Sequence, residues 1–130
     1  MTDAPTVPAY ARSLGIAFHE MDGDAPILTV DFGPSVEGRP GFFHGGATAG
    51  LLENAGYAAL RHRLLSEDRN PQLKPINITV QYLSAGKQKQ TFAIARITRL
   101  GRRSANLTVE AWQDDRAKPI ASAVMNILMA

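Results

Sequence analysis

One long, almost uninterrupted helical segment constrains the fold of this chain more than any other feature. Residues Gly45 to Leu65 carry alanine or leucine on nearly every side of the predicted helix. A helix that is apolar all round must be covered on most of its sides by other parts of the domain. We therefore expect this helix to be the buried centre around which the rest of the chain is arranged.

Alternating apolar and polar residues, typical of β-strands, occur on both sides of the helix. Before it, the strand candidates are Ile16 to Met21 and Pro26 to Phe32, preceded by a short helix within Ala4 to Gly15. After it, the candidates are Ile76 to Leu83, Thr91 to Leu100, Ala105 to Trp112 and Pro119 to Met129. Short turns between successive strands favour antiparallel pairing. The sequence thus predicts an α+β fold in which an antiparallel sheet wraps around one long central helix.

Composition narrows the function classes. The 130 residues, of which 45% are hydrophobic and 20% charged, fit a single globular domain spanning residues 1–130. The absence of cysteine excludes disulfides, zinc–thiolate sites and cysteine nucleophiles. A formal net charge of +2, without a basic patch interleaved with aromatic residues, indicates no nucleic-acid partner. Without a signal pattern or a membrane-length apolar run, we expect a cytoplasmic protein with no membrane partner.

The helix opens with the segment Phe42-Phe43-His44-Gly45-Gly46. The first turn of a helix has unpaired backbone N–H groups, and glycine allows a ligand to approach them closely. Such donors can stabilise negative charge that develops on a carbonyl oxygen. The alternative is that the glycines only shape a tight turn from loop to helix, and the spacing alone leaves both interpretations open.

Glu53 is the sharper signal. It is the only side chain between His44 and Arg61 that is normally charged at neutral pH, and its neighbours in the helix are leucine and alanine. Because an unpaired buried carboxylate is costly, an acid in such a position is a candidate functional group. The alternatives are an exposed helix face, or a salt bridge to Arg61 or His62.

Two helical glycines, Gly50 and Gly56, lie three residues before and after Glu53. Each costs about 1 kcal/mol relative to alanine in a helix interior. Positions three apart lie close together on a helix surface, so we expect the glycines to allow close approach. The approaching group would be either a ligand or the helix of a partner subunit.

The histidines do not indicate a metal site. His44 could act as a base, but a histidine just before a helix more often orients the turn by hydrogen bonding. His19 and His62 have no partner pattern and are expected at the surface. Without cysteine or a metal-binding histidine spacing, no metal site is predicted. The absence of a GxSxG motif leaves a serine triad without support.

The helix start and the acid together form a familiar pattern. His44-Gly45-Gly46, followed by Leu51 or Leu52 and then by Glu53 nine positions after the histidine, resembles the HGGxxxxLxD/E signature of hot-dog-fold acyl-CoA thioesterases. The closest resemblance is to the phenylacetate-pathway (PaaI-like) branch. Further matches are Gly41, the strand Asn77 to Ser84, the turn Gly101-Arg102-Arg103 and the closing segment Pro119 to Ala123.

The resemblance implies a catalytic set at the helix start and in its middle. Gly45 matches the residue whose backbone N–H polarises the thioester carbonyl, and His44 and Gly46 complete that turn. Glu53 matches the acid that acts as nucleophile or as general base on water. Ser84 matches a position at which some members use serine to help hold the attacking water.

The resemblance also implies binding residues and an assembly. Arg102 and Arg103 lie where CoA phosphates could be met, and Phe43, Asn54 and Tyr57 are assigned to the substrate pocket. The partner molecule is an acyl-CoA substrate, so no separate cofactor is expected. In the family the acid faces the helix start of another subunit. We therefore expect a homodimer or a tetramer built as a dimer of dimers.

Two positions depart from the family pattern. Many members carry asparagine or glutamine six positions before the histidine, where this chain has Gly38, and some carry threonine where it has Tyr57. Arg39 or Glu37 could compensate for the missing amide. The leading hypothesis is hydrolysis of an acyl-CoA thioester. The alternatives are a non-catalytic binding protein for acyl-CoA or a small acid and, less favoured, a hot-dog dehydratase or hydratase.

Overall fold

The structure, a computed structural model, describes residues 7–130. The short helix expected within Ala4 to Gly15 is α1, Ala9–Ser13, and the first three residues of the expected segment lie outside the described residues. The strands before the central helix are β1, Ala17–Asp22, and β2, Ala25–Val30. The central helix is α2, Gly45–Ser66. The remaining strands are β3 Leu73–Tyr82, β4 Thr91–Leu100, β5 Ser104–Trp112 and β6 Ala121–Met129.

All six strands form one sheet in the order β1-β2-β4-β5-β6-β3, and every neighbouring pair is antiparallel. The predicted hot-dog architecture, with a sheet wrapped around one helix, is therefore confirmed. Strands β1 and β3 are the two edges. Because β3 joins the sheet only through β6, its other edge has no strand partner among the described residues.

One side of α2 fills the concave face of the sheet. Its leucines at 51, 52, 60 and 64 are fully buried, together with Leu28 of β2 and Leu107 of β5. The opposite side of α2 is covered less completely, and Glu53, Tyr57 and Arg61 on it are half-buried. The helix is thus buried as predicted on its sheet side, but a stripe that contains the candidate acid stays accessible.

The edge strand β3 begins earlier than the alternation predicts. Pro75 lies inside it opposite Ile127, and the register shifts between Pro75 and Asn77. Proline is tolerated here because an edge strand has one side without ladder hydrogen bonds. Three large apolar side chains on or just after β3 are more than half exposed: Ile76, Tyr82 and Leu83.

Within residues 7–130, no helix is long and apolar enough to cross a membrane.

Candidate active site

The loop between β2 and α2 passes very close to the helix start. Gly41 has φ +87°, which favours glycine, and its N–H donates to Glu37 Oε2 at 2.9 Å. The N–H of Gly38 donates to the carbonyl of Phe42 at 2.9 Å. A Cβ atom on Gly38 would lie 2.9 Å from His44 Cα, so no side chain fits there without moving the helix start. In this conformation the position therefore accepts only glycine.

The two residues considered as substitutes for that amide make contacts within the loop itself. Glu37 accepts the Gly41 hydrogen bond described above. The Arg39 guanidinium lies 4.1 Å from the centre of the Phe42 ring. Both side chains therefore stabilise the loop conformation, and compensation by either one stays a prediction.

The first turn of α2 leaves one amide without an acceptor. His44 is the N-cap, and its Nδ1 accepts the Gly46 N–H at 2.9 Å. The His44 carbonyl accepts the N–H groups of Ala47 and Thr48 at 3.0 and 3.1 Å. The Gly45 N–H has no acceptor among the described residues. An unengaged N–H at a helix start, where the helix dipole favours negative charge, is suited to hold a carbonyl oxygen.

The role of His44 follows from the same contacts. Since Nδ1 accepts a hydrogen bond, the neutral imidazole carries its proton on Nε2. The side chain is exposed and orients the glycine turn, which is the role that its position before the helix favours.

A cleft of about 340 Å³ opens beside the Gly45 amide. We call it the N-terminal cleft; its lining residues are Phe43, Gly45, Thr48, Tyr82, Leu83, Ser84, Ala85, Gly86 and Ile120. Ser84 is held there by its backbone, whose N–H donates to the Ile120 carbonyl at 3.0 Å. The structure therefore brings together three predicted site residues, Phe43, Gly45 and Ser84.

The position of Phe43 depends on a close contact with the loop after β3. The Phe43 N–H donates to the Gly86 carbonyl at 2.9 Å, and a Cβ on Gly86 would lie 3.0 Å from Phe43 Cβ. The Phe43 ring packs edge-on against Phe32, with 5.2 Å between ring centres. Phe43 thus forms a wall of the N-terminal cleft, and its contacts with Gly86 and Phe32 hold it in place.

Tyr82 is a further site residue, and the sequence pattern does not predict its role. It lies at the end of β3, and its hydroxyl donates to the carbonyl of Gly45 at 2.9 Å. Its signals in the sequence were its place at the end of an alternating strand and the match of the segment Asn77 to Ser84 to the family pattern. Strand periodicity says nothing of a contact that spans 37 residues of sequence.

Glu53 lies on the accessible side of α2. Its carboxylate makes no hydrogen bond or salt bridge with any described residue. The expected alternative partner Arg61 instead donates through NH1 to Asn70 Oδ1 and to the Pro71 carbonyl, both at 2.8 Å. The salt bridge to Arg61 or His62 is therefore not formed, and the carboxylate is available to another group.

A second cleft of about 410 Å³, the mid-helix cleft, includes Tyr57, one helical turn after Glu53; its lining residues are Val7, Pro8, Asn54, Tyr57, Ala58, Arg61 and Leu73. Burial and, to a lesser extent, the negative charge of Glu53 raise the pKa of Tyr57 above 10.0, so its hydroxyl stays protonated and can donate. Asn54 is buried and donates to the Gly50 carbonyl at 2.8 Å. Two of the predicted pocket residues thus line this cleft rather than the N-terminal cleft.

The two helical glycines contact parts of the same chain. Three residues advance a helix by about 300°, so Gly50 and Gly56 lie about 120° apart on opposite flanks of Glu53. A Cβ on Gly50 would lie 3.3 Å from Leu14 Cδ1, and a Cβ on Gly56 would collide with Met125 Sδ in the sheet. The expectation that these glycines admit a ligand or a partner helix is wrong, because neighbouring parts of this domain already contact them.

A single chain does not assemble all of the predicted site residues. Gly45 and Glu53 are eight residues apart in α2, which separates them by about 12 Å along the helix axis. Arg102 and Arg103 lie near the opposite end of α2, where the Arg102 carbonyl accepts from Arg69 NH2 at 3.2 Å. One acyl carbonyl therefore cannot contact both the Gly45 amide and the Glu53 carboxylate of the same chain.

No group of three or more histidine, aspartate or glutamate side chains within residues 7–130 is placed to hold a metal ion.

Comparisons with known proteins agree with this fold and with the predicted resemblance. Residues 40–120 match the family model of the thioesterase superfamily. No curated protein sequence matches the chain. A thioesterase structure from Haemophilus influenzae is 18% identical to this chain, and the match covers 93% of this chain and 82% of that chain with a TM-score of 0.83. The sequence-based prediction of the family is therefore confirmed.

Two further structures are similar at the level of the fold. The PaaI protein from the E. coli phenylacetic acid degradation operon is 18% identical, with coverage of 95% of this chain and 85% of that chain and a TM-score of 0.80. A protein from Chromobacterium violaceum is 28% identical, with coverage of 93% and 82% and a TM-score of 0.73.

Proposed function

We propose that this chain, which belongs to the thioesterase superfamily, hydrolyses an acyl-CoA thioester to the free acid and CoA. The observation that carries the proposal is that the Gly45 N–H has no acceptor among the described residues, while Gly45 itself lines the N-terminal cleft. In the proposed reaction this amide binds the thioester carbonyl oxygen. Its hydrogen bond strengthens as that oxygen becomes negatively charged in the transition state.

Glu53 supplies the second group. As a general base it removes a proton from water, whose oxygen attacks the carbonyl carbon; the C–S bond then breaks and CoA leaves as the thiol once it is protonated. As a nucleophile the carboxylate attacks the carbonyl carbon, the C–S bond breaks and CoA leaves as the thiol once it is protonated. Water then hydrolyses the resulting anhydride to the free acid and regenerates Glu53. The absence of a charged partner for Glu53 within residues 7–130 supports both routes equally.

Two chains are needed for this chemistry, and we propose a homodimer in which Glu53 of one chain faces the partner's Gly45. The 12 Å separation along α2 requires it for a site that uses both groups, since reacting groups lie about 3 Å from their target. The free edge and exposed apolar side chains of β3 support strand pairing between two copies. Two such dimers could associate further into a tetramer.

The surface of α2 around Glu53 also suits contact between two helices. Gly46 and Ala49 lie seven and four residues before Glu53, on the same face of the helix. Their small size lets a partner helix approach closely. With the two helices antiparallel across a two-fold axis, each Glu53 comes near the start of the other helix, and two equal sites result.

The clefts support binding of an aromatic or medium-length acyl group. The N-terminal cleft has aromatic and aliphatic walls at Phe43, Tyr82 and Ile120. The mid-helix cleft is lined by Tyr57, one helical turn after Glu53, and offers the Tyr57 hydroxyl as a donor. Arg102 and Arg103 are exposed, and Arg102 contacts Arg69 just beyond the C-terminal end of α2; we propose that both arginines contact CoA phosphates.

Thiol release from a panel of acyl-CoA esters tests the proposal, with wild type compared to Glu53→Gln. Glutamine keeps the size of the side chain and removes its charge and basicity. We expect turnover by the wild type and a decrease in kcat of at least about 100-fold in the variant. An equal rate in both proteins, with the same melting temperature, would exclude Glu53 from the reaction.

A second candidate function is binding of acyl-CoA without turnover. Two observations favour it: Gly38 has no room for the amide side chain of many relatives, and Tyr57 replaces their threonine. Titration calorimetry distinguishes the two functions. Tight binding of an acyl-CoA by a folded protein that releases no thiol from any ester would establish the binding protein instead.

A further inference from the structure

We propose that Tyr82 is a positioning residue of the thioester site, which fixes the first peptide of α2 so that the Gly45 N–H stays directed into the N-terminal cleft. The inference rests on the proposed hydrolysis and adds to it a residue that acts through Gly45 rather than on the substrate.

The contact itself joins two distant parts of the chain. The Tyr82 hydroxyl donates to the Gly45 carbonyl at 2.9 Å across 37 residues of sequence. The ring lies alongside the same residue, since a Cβ on Gly45 would be 3.5 Å from two of the Tyr82 ring and hydroxyl atoms. Tyr82 is nevertheless 57% exposed, so this contact, and not burial in the core, orders the side chain.

The peptide between Gly45 and Gly46 is held at both of its polar groups. Its carbonyl oxygen accepts from Tyr82, and its N–H donates to His44 Nδ1 at 2.9 Å. A helix that starts with two glycines has a large conformational freedom to lose, and its first turn is prone to fray. The two side-chain hydrogen bonds restrict rotation of this peptide, one at its carbonyl group and the other at its N–H group.

Fixing this peptide restrains the turn that carries the Gly45 N–H. That N–H belongs to the adjacent peptide, between His44 and Gly45, which is joined to the held peptide at the Gly45 Cα and whose carbonyl accepts two further hydrogen bonds. The Ala47 and Thr48 amides are occupied by the His44 carbonyl, and the Gly46 amide by the His44 ring. One amide is therefore left free and held in place, which is the preorganised donor that transition-state stabilisation requires.

The substitution Tyr82→Phe tests this role because it removes only the hydroxyl. We expect kcat to fall about threefold to tenfold, the fold-change for one net hydrogen bond, with KM within twofold of wild type. Tyr10→Phe is the matched control: Tyr10 is 60% exposed, and its hydroxyl makes no hydrogen bond with a described residue. That control should keep the wild-type kcat.

Two further readouts separate positioning from general destabilisation. The ¹⁵N relaxation order parameter of the Gly45 amide should decrease in Tyr82→Phe and stay unchanged in Tyr10→Phe. In a Gly45→Pro background, which has no amide hydrogen to position, Tyr82→Phe should change the residual kcat less than twofold.

The outcomes distinguish this inference from the proposed function. A wild type without turnover refutes the hydrolysis, while the Gly45 order parameter still reports on the Tyr82 contact. With an active wild type, an unchanged kcat in Tyr82→Phe, a loss confined to KM, or the full loss persisting in the Gly45→Pro background would overturn the positioning role.

Discussion

Replacing Gly45 by proline deletes the proposed oxyanion donor with little expected change in the fold. Gly45 is the first residue of α2, where proline is favoured because its missing N–H has no partner within the helix. His44 before it has φ −66° and ψ 136°, the extended conformation that proline requires of its predecessor. A Cβ at position 45 lies 3.5 Å from the nearest atom of Tyr82, an ordinary contact.

The magnitude follows from the loss of one preorganised donor. Removing a single oxyanion-hole hydrogen bond lowers kcat by about 100-fold to 1,000-fold, or about 2.7–4 kcal/mol in the activation free energy. Gly45→Ala is the matched control, since it adds the same Cβ but keeps the N–H. We expect the alanine variant to retain most of the wild-type kcat, and both variants to melt close to the wild-type temperature.

The assay is thiol release from the best acyl-CoA, with kcat and KM measured for wild type, Gly45→Ala and Gly45→Pro, and melting temperatures measured alongside. Equal kcat values for the alanine and proline variants would refute the reasoning, because the two proteins differ mainly in the amide hydrogen. A large and equal decrease in both would show that the steric effect of Cβ, and not the N–H, matters at this position.

Three further predictions concern stability and assembly. Gly56→Ala should lower the free energy of unfolding by about 1–3 kcal/mol in urea titrations, because its Cβ collides with Met125. Gly50→Ala should leave that free energy unchanged or raise it by up to about 1 kcal/mol. A larger loss of stability in Gly50→Ala than in Gly56→Ala would contradict the packing described. Because the folded state raises the pKa of Tyr57 above 10.0, the free energy of unfolding of the wild type should fall as the pH rises past 10. The free energy of unfolding of Tyr57→Phe should fall less steeply over the same pH range. Equal slopes for the two proteins would contradict the raised pKa. Ile76→Lys places a charge on the free edge of β3 and should shift the protein towards monomer in light-scattering measurements, while an unchanged mass would argue against pairing through this edge.

The elements that the sequence predicts well are those with a strong repeating pattern. The apolar run of α2 and the alternation in β4 place both elements within one residue of their observed bounds. The start of β3 is missed by three residues, because Pro75 reads as a break although an edge strand accommodates it. The alternation of residues indicates only the local backbone conformation, whereas the position of a strand in the sheet decides whether a proline is tolerated.

The candidate site is predictable only in part, for a similar reason. The helix start and Glu53 stand out because a glycine pair and a lone acid are unusual in an apolar helix. The space that excludes a side chain at Gly38 and the hydrogen bond from Tyr82 depend on contacts between segments far apart in sequence. No periodicity encodes such contacts. The roles in catalysis, the CoA contacts and the cytoplasmic location stay predictions.

The central claim, that Glu53 of one chain and the partner's Gly45 form one site, is tested most directly by mixing two inactive variants. Glu53→Ala and Gly45→Pro are each assayed alone and after unfolding and refolding together at equal concentration. Random pairing leaves about a quarter of the sites with both groups intact in a two-fold symmetric dimer, so thiol release should recover to about a quarter of the wild-type rate. A mixture no more active than its two components, with mixed dimers present, would contradict the shared site.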